Sequence, residues 1–320
     1  MSGLWKLLPT IVSQMRPPKP KFSTTQIPDL TGRIFIVTGG NTGVGYETAK
    51  ALLEHNGTVY LACRNKDKAH AAISRLKEAT TKVAIFLELD LGSLASVRRA
   101  AQEFLSLEKE LHVLFNNAGV MFPPIGQLTS DGYDLQLGTN VLGHFYLTQL
   151  LMPALKAGKL TSPDGYARIV TVSSSGSYFY GINWDTFVDG PKRRRMGTKN
   201  LYFQSKLANV VVARQYFERY TDDGIISIAC NPGNLKSDLY RHVPGWLFYI
   251  IDVALLYPPP LGALTQLWAG VMPETIEHNG KFLIPWARVG RTRNEAYDLE
   301  IGKRLWSWLQ AQVDEFERTT

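Results

Sequence analysis

The chain has 320 residues, 45% of them hydrophobic, enough to bury a large core as one big domain or two small ones. Its net charge of +7 would suit an anionic partner, but the basic residues are dispersed apart from Lys192-Arg193-Arg194-Arg195, which reads as a solvated loop and argues against nucleic acid. Cys63 and Cys230 both close predicted strands, and the six histidines form no His-x-x-x-His pair or Cys/His cluster; this argues against a disulfide framework and a metal site and fits a reducing compartment.

Residues 1–30 read as an N-terminal arm. Met1 to Val12 holds a short apolar stretch interrupted by Lys6 and Pro9, neither a signal peptide nor a membrane span. Pro17-Pro18-Lys19-Pro20-Lys21 reads as an extended linker. The arm is expected either to dock on the domain as an irregular tail or to touch a membrane surface.

From Arg33 the pattern changes. Ile34-Phe35-Ile36-Val37 is a continuous apolar run, as in a strand buried on both faces of a parallel sheet. It leads into Thr38-Gly39-Gly40-Asn41-Thr42-Gly43-Val44-Gly45 and a helical pattern to about Glu54. Glycines at this junction let backbone N–H groups approach a pyrophosphate at the positive end of the helix. A second strand, Thr58–Cys63, ends at Arg64, with Lys66 and Lys68 following and no acid at the strand end. In dinucleotide folds an acid near this point holds the ribose 2′-hydroxyl, whereas an Arg accommodates a 2′-phosphate, so the pattern favours NADP(H) over NAD(H).

A helix near 66–79, a strand Val83–Leu87 running into Glu88-Leu89-Asp90-Leu91, a helix near 93–109 and a strand His112–Phe115 continue the alternation. This specifies an α/β fold, a Rossmann-type doubly wound parallel sheet flanked by helices, whose ligands sit beyond the carboxyl ends of the strands. Asn116-Asn117-Ala118-Gly119 lies at such an end, as do Ser173-Ser174-Ser175 after Ile169–Val172 and Asn231-Pro232-Gly233 after Ile225–Ala229. Tyr202 and Lys206 stand four apart and share a helix face. A phenol has a pKa of about 10 and is a poor proton donor near neutrality, but a nearby ammonium favours the phenolate. Such a pair can move a proton to or from a substrate oxygen.

With these motifs in this order the chain resembles the short-chain dehydrogenase/reductases over about residues 31–290. The matching residues are Thr38-Gly39-x-x-x-Gly43-x-Gly45, Asp90-Leu91, Asn116-Asn117-Ala118-Gly119, Asn140, Ser174, Tyr202-x-x-x-Lys206 and Pro232-Gly233. Ala62-Cys63-Arg64-Asn65, Asn140-Val141-Leu142-Gly143-His144-Phe145 and Tyr202-x-x-Ser205-Lys206-Leu207-Ala208-Asn209 are similar to the retinol-dehydrogenase-like branch, which includes fungal secondary-metabolism enzymes.

The resemblance implies four catalytic residues. Tyr202 would be general acid or base, and Lys206 would lower its pKa and bond the nicotinamide ribose. Ser174, the second of the three serines, would donate to the carbonyl oxygen, and Asn140 would hold a water in a proton relay. Cofactor contacts are implied for Gly39, Asn41, Thr42, Gly43, Val44, Gly45, Arg64, Asn65, Asp90, Leu91, Asn117, Ala118, Gly119, Pro232, Gly233, Leu235 and Ser237, with Tyr202 and Lys206. Ser237 stands where the family often has a threonine. His144, on the same helix as Asn140, reads as a packed, hydrogen-bonded residue. The insertion 175–201, with Tyr178, Phe179, Tyr180 and Trp184, is placed beside the substrate mouth.

The expected organisation is an arm (1–30), a catalytic Rossmann domain (31–290) with a substrate lid within 235–262, and a C-terminal helix (291–320). Trp246–Ile251 and Val253–Tyr257 form an apolar stretch, broken by Asp252, that is too short for a membrane span. Its walls suggest a lipophilic substrate, with a membrane-surface or dimer contact as the competing reading. Residues 294–316 read as an amphipathic helix. The function expected is NADP(H)-dependent reduction of a lipophilic ketone or aldehyde to an alcohol, or the reverse. The rivals are NAD-dependent oxidation of a lipid or retinoid-like alcohol, and a silent cofactor-sensing protein, against which the intact set of four residues argues. The expected localisation is cytoplasmic or peripheral on a membrane. The chain is expected to be a monomer or a homodimer, since many family members pair through helices around 93–109 and 133–157.

Overall fold

The computed structural model describes residues 2–235 and 256–319, with backbone alone for 2–8. Among them, β1 (Ile34–Thr38), β2 (Thr58–Cys63), β3 (Ile85–Glu88), β4 (Val113–Asn116), β5 (Ala167–Val172), β6 (Ile225–Cys230) and β7 (Phe282–Ile284) run parallel, and β8 (Arg288–Gly290) closes the edge antiparallel to β7. The order across the sheet is β3-β2-β1-β4-β5-β6-β7-β8. The chain thus winds outward from β1, then returns beside it at β4 and winds the other way. A crevice opens at that reversal, beyond the carboxyl ends of the strands.

Among the described residues the longer helices are α1 (Ser2–Met15), α2 (Gly43–Glu54), α3 (Lys66–Thr80), α4 (Leu94–Leu107), α5 (Gly143–Thr161), α6 (Pro191–Tyr220, broken at Gly197), α7 (Pro259–Val271) and α8 (Leu299–Thr319). Strand side chains alternate between faces, so one strand feeds two cores. Ile36 packs with Val97, Phe104, Leu151, Leu207 and Leu309 under α4, α5, α6 and α8. Phe35 and Val37 pack with Leu52, Leu76 and Leu267 under α2, α3 and α7.

Several expectations are corrected. Arg193 of the basic run is buried, not solvated: its guanidinium bonds Asp134 at 2.9 Å, Asp189 at 3.0 Å and the carbonyl oxygens of Ile125 and Gln127 at 2.7 and 3.0 Å. Four acceptors arriving from separate segments outweigh its desolvation, a convergence with no local sequence signature. The arm is helical over α1 rather than irregular, although Pro9 lies inside it. β3 starts at Ile85, not Val83, because the pairing with β2 starts at Tyr60–Ile85 and leaves Val83 56% exposed. The last helix starts at Leu299, where Asp298 Oδ1 accepts from Glu300 N and Ile301 N at 2.9 and 3.0 Å and caps it. Residues 259–262, expected at the end of the lid, belong to α7. The rest of the lid after Leu235, up to 255, and with it Ser237, lies outside the described residues.

Candidate active site

The site is built at the ends of β1, β4, β5 and β6. After β1, Gly39 and Gly43 take φ of +67° and +55°, a region that penalises any Cβ. A Cβ on Gly45 would stand 2.5 Å from Gly39 O and 2.6 Å from Asn117 Nδ2, so the turn is folded tightly onto the loop after β4. Asn117 Nδ2 donates to Thr38 O at 2.8 Å, and the Thr38 hydroxyl accepts from Asn117 N and Ala118 N, both at 2.9 Å. The first N–H groups of α2 lack intrahelical acceptors and open beside Asn41 and Thr42. A bulk-free turn ending in backbone donors fits a dinucleotide pyrophosphate.

Thr38 also determines the state of His144. The His144 Nδ1 lies 3.1 Å from the Asn140 carbonyl oxygen, which can only accept, so Nδ1 carries the hydrogen. Burial pushes this imidazole down to about 4, so it is neutral and its Nε2 accepts from the Thr38 hydroxyl at 2.9 Å. His144 is therefore a buried brace between β1 and Asn140.

At the end of β2, Arg64 follows the strand with its side chain 73% exposed and Nη1 3.9 Å from Asp90 Oδ2. Asp90 Oδ1 accepts from Gly92 N at 2.9 Å. Asn65 Oδ1 accepts from Lys68 N at 2.8 Å and caps α3. Leu91 is buried, and its carbonyl oxygen lies 2.4 Å from where a Cβ on Gly143 would stand, so its backbone packs on the start of α5. Val44 is half-buried at the first turn of α2.

On the reaction side, Lys206 is 4% exposed and its ammonium donates to Val172 O, at the end of β5, at 3.0 Å. Burial lowers its pKa from 10.5 to about 8. The Tyr202 ring, 6% exposed, lies 5.9 Å from that ammonium. A Cβ on Gly176 would stand 3.3 Å from Tyr202 Cε1 and 3.5 Å from Ser174 Oγ, and a Cβ on Gly119 would stand 3.3 Å from Asn140 Oδ1 and 3.4 Å from Lys206 Nζ. The four residues are thus gathered around two glycines. Ser174 accepts from Gly176 N at 3.0 Å and keeps its own hydrogen to donate, whereas Ser173 spends its hydrogen on Lys206 O at 2.6 Å. The Asn140 amide is tied to its neighbours: Oδ1 accepts from Val120 N at 2.8 Å, and Nδ2 donates to Val120 O and Ser205 Oγ at 3.1 and 3.0 Å. Asn140 lies in a π-helical turn, Gly138–Leu142, a distortion frequent at functional sites.

Beyond β6, Gly233 takes φ of +92° and its N–H donates to Asn231 Oδ1 at 3.0 Å, while Leu235 is buried and bridges to Tyr257. Sequence reasoning missed Phe122, at φ +54°, whose ring meets Tyr202 edge-on at 5.2 Å. It also missed Gln14, whose buried amide reaches Asn231 and Tyr178. Neither residue stands in a motif, so no local signal could have singled it out. Among the described residues no His/Cys/Asp/Glu group could hold a metal ion, and no helix is long and apolar enough to cross a membrane.

Known proteins share the sequence pattern and the fold. The family model described as short chain dehydrogenase matches residues 33–187. A short-chain dehydrogenase/reductase of Armillaria gallica is 52% identical over 316 residues, 99% of this chain and 100% of that protein. Retinol dehydrogenase 11 of Mus musculus is 36% identical over 292 residues, 89% of this chain and 86% of that protein. The crystal structure of an uncharacterized protein from Mycobacterium Paratuberculosis superposes with a TM-score of 0.70 at 30% identity, covering 91% of this chain and 96% of that one. The Pseudomonas aeruginosa RhlG/NADP active-site complex shares the fold at 24% identity, with a TM-score of 0.64 over 80% of this chain and 95% of that one. The chain is an oxidoreductase and belongs to the NAD(P)-using short-chain dehydrogenase/reductases.

Proposed function

We propose that the chain is an NADP(H)-dependent reductase of a lipophilic ketone or aldehyde, running in reverse as an alcohol dehydrogenase, with Tyr202 as general acid and base. The observation that carries this reading is the gathering of Tyr202, Ser174, Lys206 and Asn140 around Gly119 and Gly176, at the strand ends beside the glycine turn. The nicotinamide, when bound, supplies or takes the hydride. Tyr202 delivers the proton to the substrate oxygen, and Ser174 donates a hydrogen bond to the same oxygen as negative charge develops there. Lys206 holds positive charge beside the phenol and stabilises the phenolate left behind. Asn140, whose amide bonds Val120 and Ser205 and whose backbone carbonyl oxygen receives His144 Nδ1, would hold the water of the expected relay through a lone pair that these donors leave. Gly39, Asn41, Thr42, Gly43, Val44 and Gly45 would hold the pyrophosphate; Asp90 and Leu91 would line the adenine side, and Asn117, Ala118, Gly119, Pro232, Gly233 and Leu235 the nicotinamide side.

The exposed Arg64, without a carboxylate at the end of β2, supports preference for a 2′-phosphate. An aromatic wall supports a lipophilic substrate: Phe122 meets Tyr202 at 5.2 Å, and Phe203 meets Phe122 at 6.3 Å and Phe179 at 5.2 Å. A relative named as a retinol dehydrogenase supports the same substrate class.

Titration with NADPH and NADH, followed by nicotinamide fluorescence, tests the reading. NADPH is expected to bind about tenfold tighter, about 1.4 kcal/mol, with the difference lost in Arg64→Ala. Tyr202→Phe is expected to abolish turnover across a carbonyl panel while cofactor still binds. Equal or tighter binding of NADH would replace this reading with NAD-dependent oxidation of a lipid-like alcohol, and full activity in Tyr202→Phe would overturn the mechanism.

A further inference from the structure

Gln14, on the helix that precedes the catalytic unit, closes a run of buried hydrogen bonds between two loops of the site. The Gly233 N–H donates to Asn231 Oδ1 at 3.0 Å, and Asn231 Nδ2 donates to Gln14 Oε1 at 2.7 Å. Gln14 Nε2 donates to the Tyr178 hydroxyl at 2.8 Å, and that hydroxyl donates to Arg291 O at 2.8 Å. Both amide orientations are determined by their ends. Gly233 N can only donate to Asn231, and Gln14 Nε2 also donates to Thr10 O at 3.2 Å, which can only accept. Gln14, Asn231 and Tyr178 are 2%, 1% and 0% exposed. Every member is therefore satisfied, and a gap at Gln14 would strand two buried polar groups.

The loops so joined are those that matter to the chemistry. Asn231-Pro232-Gly233 follows β6, and Tyr178 ends the 3₁₀ turn Ser175–Tyr178 that Ser174 caps. Their strands, β5 and β6, are neighbours paired as far as Val172–Cys230, and beyond that pairing Gln14 bridges the two loops through Asn231 and Tyr178. The helix itself is held by Ile11 in the core and by Arg288 Nη2 donating to Ser13 O at 3.0 Å.

We propose that Gln14 is a positioning residue that sets the separation between the Pro232-Gly233 loop and the Ser174 turn, making the N-terminal helix part of the reaction site. The proposal rests on the reading of Ser174 and Gly233 given under Proposed function. It differs from a mere strap in what it predicts: loss of Gln14 misplaces the hydrogen-bond donor and the cofactor loop relative to each other, and so lowers turnover in protein that remains folded.

The test uses full-length Gln14→Ala, Tyr178→Phe and the double variant. Four quantities are read: amide exchange at Gly233 and over 174–178 without cofactor, the Kd for NADPH, and kcat and KM for a carbonyl that wild type reduces. Gln14→Ala is expected to speed exchange in both loops and to weaken NADPH about threefold, with kcat falling about tenfold and KM moving less than about twofold. Tyr178→Phe, which removes only the hydroxyl, should move each quantity the same way by less, and the double variant should be no worse than Gln14→Ala. NADPH affinity and kcat within about twofold of wild type in these variants would overturn the proposal, even with a lowered Tm. If Gln14→Ala does not fold, Tyr178→Phe decides on the same readouts. If wild type binds NADPH but reduces no carbonyl, the proposed reaction fails while exchange and Kd still decide the role of Gln14.

Discussion

The ammonium of Lys206 is held by the carbonyl oxygen of Val172 at 3.0 Å, so a helix side chain is tied to the last residue of β5 in a place without solvent. The consequence is a lysine whose pKa falls from 10.5 to about 8 through burial. In the unfolded chain the same amine keeps its proton to about 10.5. Between those limits the unfolded state binds more protons, so stability rises with pH relative to a variant without the amine. We expect wild type to gain up to about 3 kcal/mol over Lys206→Met between pH 8 and 10.5, and a flat difference below pH 8. Urea midpoints for both proteins across pH 7–10.5 measure this, and parallel curves would refute it. Carbonyl reduction should decline as pH rises through about 8, because the charge that favours the phenolate is lost.

His144 titrates in the opposite part of the scale. Burial lowers its pKa from 6.5 to about 4, so the unfolded chain takes up a proton first on acidification. Its contribution is complete above pH 6.5 and disappears as pH falls toward 4. His144→Phe should be less stable by about 1–3 kcal/mol at pH 7, because Asn140 O loses its donor, and should lose less stability than wild type between pH 6.5 and 4. Thermal unfolding at pH 7 and pH 5 compares the two; a wild type as acid-tolerant as the variant would contradict the neutral assignment.

Arg193 and Asp134 form a buried pair at 2.9 Å, and burial acts to raise the Asp134 pKa while Arg193 and backbone donors oppose it. Removing the cation alone leaves the buried Asp134 charge with only the backbone donors on its Oδ1 and takes a donor from the Ile125 and Gln127 carbonyl oxygens, so Arg193→Met should cost about 3–5 kcal/mol. Adding Asp134→Asn keeps an acceptor for Gln136 N and Leu137 N and removes the charge, and should recover part of the loss. Denaturant midpoints of the single and double variants give the coupling; additive effects would show that the pair does not act as a unit.

The C-terminal helix covers α5 and α6. Trp306 meets Phe145 at 4.9 Å and Tyr216 at 5.1 Å, and Arg219 lies over its ring at 4.4 Å. Glu317 bonds Tyr146 on α5 and Arg98 on α4. These are the helices through which a pairing was expected, so the protein should sediment as a monomer. Trp306→Ala should lose about 3–5 kcal/mol and expose an apolar strip that promotes association. A wild-type dimer in sedimentation velocity would show that pairing uses another face.

The alternation of buried strands and helices, the glycine turn after β1 and the helical spacing of Tyr202 and Lys206 were legible in the sequence because each is a local pattern, set by backbone periodicity or by residues that stand close in the chain. Family motifs extended that reading to Asn140 and Ser174. Local pattern misjudged Arg193, since charge runs are ordinarily solvated and its acceptors on Asp134, Asp189, Ile125 and Gln127 arrive from three segments. It placed the start of the last helix at 294 because apolar spacing extends past the cap at Asp298. The sequence by itself thus determined which strand ends carry the candidate site and which residue types stand there. Only tertiary structure decided that Ser173 is spent on Lys206 O while Ser174 keeps its hydrogen, that the Asn140 amide braces Val120, and that Gln14 from the N-terminal arm lies between Asn231 and Tyr178. The physical reason is that a hydrogen bond is assigned by the atoms within about 3 Å of it, and in these cases those atoms belong to residues far apart in the chain.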